Sequence, residues 1–425
     1  MTFSIGDAGH TVEHNRLAQF TVASSFGNDS TDSYTHIQAK IDAVAAAGGG
    51  EVLLPEGIFV VSQALVLPSR VALRGAGFAV TEIKLAAGAN DDVIRTVGFS
   101  SLTNTDAWFS SENVPYGFAI RDLQVNGNKA NNTSGGGIRI YGKGYTVHGV
   151  LVRDASGAGY YSECGAKTGQ SDWTDLPETY IGDVRCRNND GIGFHFRGPH
   201  NAQVGNISSA FNGDWGASFE VSANYDGNCD QVAVLHTYAN GGDKGTYVGT
   251  VVHFDRLIGD GDNIQIDATK CTISQLKILN AGSRRDALHL TANADLTQID
   301  QIDITMRPPV DAASRTAMLV ECARSQFGQV RLSGNSHTND GLVLSGTSNQ
   351  VASVLAIEFN AASMAGVRVS GTRQRVTSGF ITNCTTAVAY TPGSKNTIQV
   401  DAFVTAAQVG LTGTPAATDN ITVRT

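Results

Sequence analysis

NNDGIGFHF (188–196), NGDWGASFEV (212–221), GGDKGTYV (241–248) and GDGDNIQID (259–267) are four variants of one short pattern. In each, an Asp set among Gly and Asn leads into alternating apolar and polar residues, the period of a β-strand with one buried face. SRRDALHL (283–290) and TNDGLVLSG (338–346) repeat it. The Asp positions, 190, 214, 243, 262, 286 and 340, are separated by 24, 29, 19, 24 and 54 residues, the last interval fitting two turns. Between them lie further period-2 runs, AQVGNISSAF (202–211), DQVAVLHTYA (230–239) and CTISQLKIL (271–279). Several short strands in every ~20–30 residues describe a β-solenoid, whose coils bury their apolar sides only against each other. The fixed Leu and Asn positions of a leucine-rich repeat are missing, and a propeller blade takes about 40 residues. A TIM barrel needs helical spacing between its strands. The parallel β-helix fits best.

Upstream the pattern changes. Asp32 and Ser33 can cap a helix over 34–47, with Ile37, Ile41 and Val44 on one face and Gly48, Gly49 and Gly50 ending it. Strand-like segments follow from residue 51. A helix in this place covers the apolar end of the first coil. The expected organisation is an N-terminal segment and capping helix at 1–50, the solenoid at 51–395 and closing strands at 396–425.

Composition agrees with a fold that turns several times per coil: 48 Gly, 9 Pro and only 16% charged residues in a chain of 425. A hydrophobic content of 41% excludes wholesale disorder, and glycine without a period of three excludes collagen. No apolar run reaches the ~18–20 residues that a membrane-spanning helix needs. With 30 Lys+Arg against 39 Asp+Glu, and no basic cluster beyond Arg284-Arg285, neither nucleic acid nor a membrane surface is an expected partner. Cys164, Cys186, Cys229, Cys271, Cys322 and Cys384 lie far apart, without CxxC or zinc spacing, and read as buried free thiols. No metal and no cofactor is expected. No positive n-region followed by an apolar run opens the sequence, so no cleavable signal peptide is expected.

The stretch DSYTHIQAKIDAVAAAGGGEVLLPEGIFVVSQALVLPSRVALRGAGFAVTEIKL (32–85) resembles the N-terminal segment of the pectate-lyase-like, right-handed parallel β-helix superfamily. Its helix with Ile-Gln and Ile-Asp, its glycine run and its later L-x-G-x-G carry the resemblance. That superfamily includes bacteriophage tailspike depolymerases and bacterial polysaccharide lyases, hydrolases and epimerases. The resemblance implies a right-handed coil, a polysaccharide substrate, a homotrimer and a secreted or virion-associated location. It does not select a reaction, because one fold carries many chemistries. IRDLQVNGNKANNTSGG (120–136) and VRDASGAGYYSECG (152–165) are also similar to mannuronan C5-epimerase modules. Those enzymes continue Ser-Gly-x-Gly-aromatic with Asp-Pro-His-Glu. Here the stretch reads Tyr161-Ser162-Glu163-Cys164, so that Asp and His are missing, and only Lys129 and the scaffold carry across.

From the residues themselves, the recurring Asp is the strongest chemical signal. Equivalent positions on stacked strands lie about 4.8 Å apart, so these Asp are expected to form a column along one edge. Carboxylates about 5 Å apart suit a retaining glycosidase, and a gap of ~6.5–9.5 Å suits an inverting one. Asp before Gly is also an ordinary turn former. Alternation sends Ile192, Phe194 and Phe196 inward together with Ala217, Phe219 and Val221, leaving Gly193, His195, Ser218 and Glu220 outward, with His195 and Glu220 as stacked neighbours. Asp214, Glu220, Asp243 and Asp190 are therefore the expected catalytic carboxylates. His195, Arg197 and the aromatics Trp215, Tyr247 and Trp173 are the expected sugar contacts. A competing basic set, Arg197, Arg256, Arg284, Arg285, His195 and His289, suits a lyase that neutralises a uronate and removes a proton. The leading expectation is a glycoside hydrolase that depolymerises a polysaccharide. The alternatives are a lyase acting by β-elimination, a non-catalytic glycan-binding solenoid and a transglycosylase.

Overall fold

The computed structural model describes residues 18–99, 114–163, 179–199, 201–221, 229–281, 284–308, 310, 315–334, 339–360, 364–391, 395–403, 409–415 and 417–424. They form a right-handed parallel β-helix of about 13 turns. One sheet holds 14 short strands, and the other holds 19 strands, most of them longer. Each coil in the middle of the stack contributes one strand to each sheet. Phe194–Arg197 lies between Tyr160–Glu163 and Ala217–Phe219 in the short-strand sheet, all parallel. Gln203–Ala210 lies between Tyr180–Arg187 and Cys229–Tyr238 in the long-strand sheet.

Between the sheets the inward residues stack coil on coil. Tyr160 and Phe194 lie with ring centroids 4.8 Å apart and planes 6° from parallel. Phe196, Phe219 and Phe254 continue this column and are fully buried. Each such ring contributes ~1.5–3 kcal/mol by leaving water, and each aromatic pair adds ~0.5–1.5 kcal/mol. Helix α1 (Tyr34–Ala46) lays Ile37, Ile41 and Val44 on the head of the stack, as expected. Its first turn is capped by Asp32, whose Oδ1 accepts from Tyr34 N at 3.0 Å, and Gly48 ends it at φ +91°. Cys186, Cys271, Cys322 and Cys384 are buried free thiols. Cys164 and the side chain of Cys229 lie outside the described residues.

The register of the coils is set by a buried polar ladder. At the turn from long to short strand, Asn189 Nδ2 donates to Asn212 Oδ1 at 2.9 Å, and Asn212 Nδ2 to Asn240 Oδ1 at 2.9 Å. Asn240 Nδ2 ends the series on Asp262 Oδ2 at 2.6 Å. Asn212 Oδ1 and Asn240 Oδ1 also take the backbone N–H groups of Asn189 and Asn212, and the other Asp262 oxygen, Oδ1, takes that of Asn240. A turn whose backbone is buried must find partners inside, and one inward amide per coil supplies them. Asp190, Asp214 and Asp243 stand one, two and three residues beyond their ladder residues, while Asp262 is itself a ladder residue. Asp190, Asp214 and Asp243 therefore do not stack in the expected column: from Asn189 to Asn240 each coil adds a residue before its Asp, and these three carboxylates drift off the common edge. Farther along, the strand register keeps Asp286 and Asp340 level, with Thr316 between them. The place over Asp190 is taken by Gly213, where an added Cβ would come within 2.3 Å of the Asp190 carbonyl oxygen.

Candidate functional site

The outer face of the short-strand sheet carries two rows of side chains along the solenoid axis. The pairing Arg139–Tyr161–His195–Ser218–Tyr247–Gln265–His289 forms the middle row, one residue per coil. Glu163 and Arg197 face each other in the second row. Glu220, Gly249, Asp267, Thr291 and Glu321 extend it, each placed by a backbone N–H bonded to the coil before. The carboxylates come together here, after each strand rather than before it.

At the centre, His195 Nε2 lies 3.3 Å from Glu220 Oε1. The contact is off the hydrogen-bond line, and Nε2 has no hydrogen-bond partner. Ser218 Oγ donates to Glu220 Oε1 at 2.5 Å. The His195 imidazole, with Ser218 and the Arg197 charge behind it, holds the Glu220 carboxyl at about 2 against the opposing effect of burial. Glu220 is thus ionised at every working pH. Arg197 loses some water contact by burial, yet its hydrogen bond to Tyr161 and the charges of Glu163 and Glu220 raise its pKa further. Tyr161 stands edge-on to His195 at 5.0 Å and donates its hydroxyl to Glu163 Oε2 at 2.5 Å. Burial, then Glu163, push that phenol up to about 12.

Two coils on, Tyr247 OH donates to Asp267 Oδ2 at 3.0 Å, and burial, then Asp267, raise it to about 12. Asp267 also accepts from Thr291 and Asn293. Trp215 sits 5.6 Å from the Tyr247 ring, under the Arg285 guanidinium at 5.8 Å. Beyond it, Asn263, Gln265, Arg284, Arg285, Asp286, His289 and Arg315 line a cavity of about 280 Å³. Asn263 Oδ1 is buried there without a hydrogen-bond partner. Burial raises the Asp286 carboxyl, and His289 Nε2 pairs with Glu321 at 2.7 Å.

Of the residues expected from sequence, the structure gathers His195, Arg197, Glu220, Trp215 and Tyr247 on this face. Glu220 faces Arg197 across the coils, and His195 faces Ser218, so their contact is diagonal rather than stacked. Val221, expected inward, is 45% exposed, because the strand ends at Phe219. Asp190, Asp214 and Asp243 are kept apart, each beside its own cation: Lys129 at 2.8 Å, Lys244 at 2.6 Å and Arg307 at 3.1 Å. Lys129, the one residue shared with the epimerase motif, is thereby tied to Asp190. Arg256 leaves the competing basic set, since its strand, Val252–Asp260, belongs to the long-strand sheet. Trp173 lies outside the described residues. Among the described residues no group of three His, Cys, Asp or Glu is placed to hold a metal ion.

Sequence reasoning missed Glu163, Asp267 and Glu321 as members of the face, along with Tyr161 and Arg139, while Asp286 was among the recurring Asp it singled out. The usable signal was the residue two places after each outward middle-row position, since outward residues alternate along a strand.

Comparison with known proteins agrees with this architecture. Residues 24–218 match the family model described as rhamnogalacturonase A/epimerase, pectate lyase-like. This segment is pectate-lyase-like. Mannuronan C5-epimerase AlgE4 of Azotobacter vinelandii is 35% identical over 153 residues, covering 32% of this chain and 26% of that protein. Alginate lyase 7 of the same organism is 34% identical over 116 residues, covering 26% of this chain and 12% of that protein. The chain thus spans about a quarter or less of the length of these relatives. Among solved structures, the N-terminal fragment of bacteriophage Phi29 gene product 12 superposes with a TM-score of 0.58 at 15% identity, covering 89% of this chain and 70% of that one. That likeness is one of fold.

Proposed function

We propose that this pectate-lyase-like chain breaks glycosidic bonds of an acidic polysaccharide laid along the short-strand sheet, by β-elimination at a uronic-acid residue. The observation that carries the reading is the His195–Glu220 contact beside Arg197. Glu220, at about 2, is too weak a base to take a carbon-bound proton itself. It is well suited to stabilise the imidazolium that forms when His195 takes one. Arg197 holds the uronate carboxylate and makes the adjacent C–H more acidic. The C–H electron pair becomes the C=C bond, the C–O bond to the leaving sugar breaks, and Tyr161 gives its proton to the departing oxygen. Arg139, Arg284, Arg285 and Arg315 along the same face support an anionic substrate despite a net charge of −9.

Hydrolysis is the second reading, favoured by one feature. Gly249 leaves a gap between Glu220 and Asp267, two coils and hence ~9.6 Å apart, which approaches the span that admits a water in inverting glycosidases. The resemblance to phage tailspikes supports a homotrimer and a virion-associated or secreted setting; light scattering tests the first. The deciding experiment is digestion of a panel of acidic and neutral polysaccharides, followed by ultraviolet absorbance and product mass. Elimination gives absorbing, unsaturated ends, and hydrolysis gives products heavier by one water without absorbance. Binding without shortening of any polymer would sink both.

A further inference from the structure

The opposite side of the solenoid carries a second candidate site. In the long-strand sheet, the second half of Gln203–Ala210 carries short outward side chains between two coils with large ones. Ser208 lies between Arg185 and His236, and Ala210 between Arg187 and Tyr238. The result is a slot one coil wide and about 370 Å³ in volume, within the ~300–1,000 Å³ of small-ligand sites. Its floor is Asn206 and Ser208. One wall is cationic and the other aromatic. Arg187 Nη2 donates to Tyr238 OH at 2.9 Å across one end. Phe211 closes that end, 48% exposed, edge-on to Tyr238 at 5.0 Å and 5.5 Å from the Arg187 guanidinium.

Charge and shape favour one kind of occupant. Arg185 has Asp183 at 3.5 Å, but among the described residues no carboxylate pairs with Arg187 or His236. The slot is therefore net positive. A guanidinium presents paired donors that match a carboxylate, and exposed rings beside it offer faces for the C–H side of a sugar. We infer that this slot is an accessory binding site for an acidic sugar unit, the carboxylate on Arg185 and Arg187 and the ring against His236 and Tyr238. It lies on the sheet opposite the proposed cleavage face and can hold a second stretch of the same polymer. The inference borrows the acidic polymer from the proposed function, but the binding it describes requires no cleavage.

The test is calorimetric titration of the full chain, made inactive by H195A, with trigalacturonate, trimannuronate and neutral cellotriose. A uronate trimer is expected to bind in two components. R187A and Y238A each weaken one component at least tenfold, Y238F spares it, and R197A weakens only the other. In the active protein, R187A and Y238A raise KM for long polymer severalfold and leave kcat unchanged. Thermal melts matching the parent exclude misfolding as the cause. The inference is overturned if R187A and Y238A bind as the parent does, or if no uronate trimer fills a second component. Sulfate or acetate competing as well as the trimers would reduce the slot to a plain anion site. A change in oligomeric state with uronate binding intact would assign this face to a second copy of the chain. Slot binding that persists in a protein unable to cleave any glycan would sink the proposed function and leave this inference standing.

Discussion

The short-strand sheet shows one scaffold used in two ways. From Ile138–Tyr141 to Leu288–Leu290 its middle outward row is Arg, Tyr, His, Ser, Tyr, Gln and His. From Arg315–Val320 to Thr386–Tyr390 the same row is Leu319, Val343, Arg368 and Ala389, and its single charge is held by Asp340 at 2.9 Å. The inward residues of both halves are the same sort of apolar ladder. Coil stacking thus constrains only what points in. The outward positions are free to vary, and the polar and charged ones gather in the first half.

The buried ladders also differ. In the first half, Asn212 Oδ1 accepts both the backbone N–H and the side-chain amide of Asn189. In the second half a different turn, from short to long strand, carries the ladder, and Asn349 Oδ1 takes only the Ser325 backbone N–H, at 3.0 Å. The coils of the first half are more heavily cross-tied.

Substitutions can break this contrast. The largest effect is expected from H195A, which removes the proton-transfer group and should cut the rate of polymer cleavage by about 10²–10⁴-fold. Initial rates by absorbance or reducing ends check it, and a loss under tenfold would remove His195 from the chemistry. Next, N212A strands two buried donors and should destabilise the fold by about 2–4 kcal/mol, whereas N349A strands one and should cost about 1–2 kcal/mol. Denaturant unfolding measures both, and equal costs would erase the difference between the ladders.

A pH-dependent effect is expected at Asp262. Burial raises its carboxyl to about 6 from 3.8, the Asn240 hydrogen bonds opposing. Below about pH 4 it is protonated in folded and unfolded chains alike and costs nothing. Between about pH 4 and pH 6 the unfolded chain is ionised while the buried carboxyl keeps its proton, so the fold loses stability across that window, by about 3 kcal/mol at most, and no more above it. D262N keeps an acceptor for Asn240 and removes the charge. It should match the parent near pH 4 and exceed it at pH 7, as unfolding at the two pH values would show; an advantage equal at both would disprove the assignment. The smallest effect is expected from L319Q on the half without the site, with cleavage within twofold of the parent and stability within about 0.5 kcal/mol.

Much of the solenoid was legible in short segments. The alternation in GFHF and ASFE names the residues that turn inward, and Ile37, Ile41 and Val44 name the buried face of the cap helix. His195 and Glu220 followed from the same alternation. The Asp column broke at Asp190, Asp214 and Asp243 because the most frequent polar residue of the repeat is not the one that fixes the register, which is the buried one. Asn189, Asn212 and Asn240 stand beside Asp190, Asp214 and Asp243 in sequence, and nothing local says which of the two turns inward. Asp267 and Glu163 were missed for a related reason: their cross-coil neighbours, Tyr247 and Arg197, stand 20 and 34 positions away in sequence.

The sequence by itself determined that this chain is a parallel β-helix with a helical cap, because strand alternation and glycine-rich turns are local properties that every coil repeats. It also marked His195, Arg197 and Glu220 as outward and chemically able. Only the tertiary structure decided which carboxylates meet. Turn lengths vary from coil to coil, and the partners of each outward side chain are set by stacking. The buried amide ladder fixes that stacking, since a misplaced coil would leave its turn donors unsatisfied in the core.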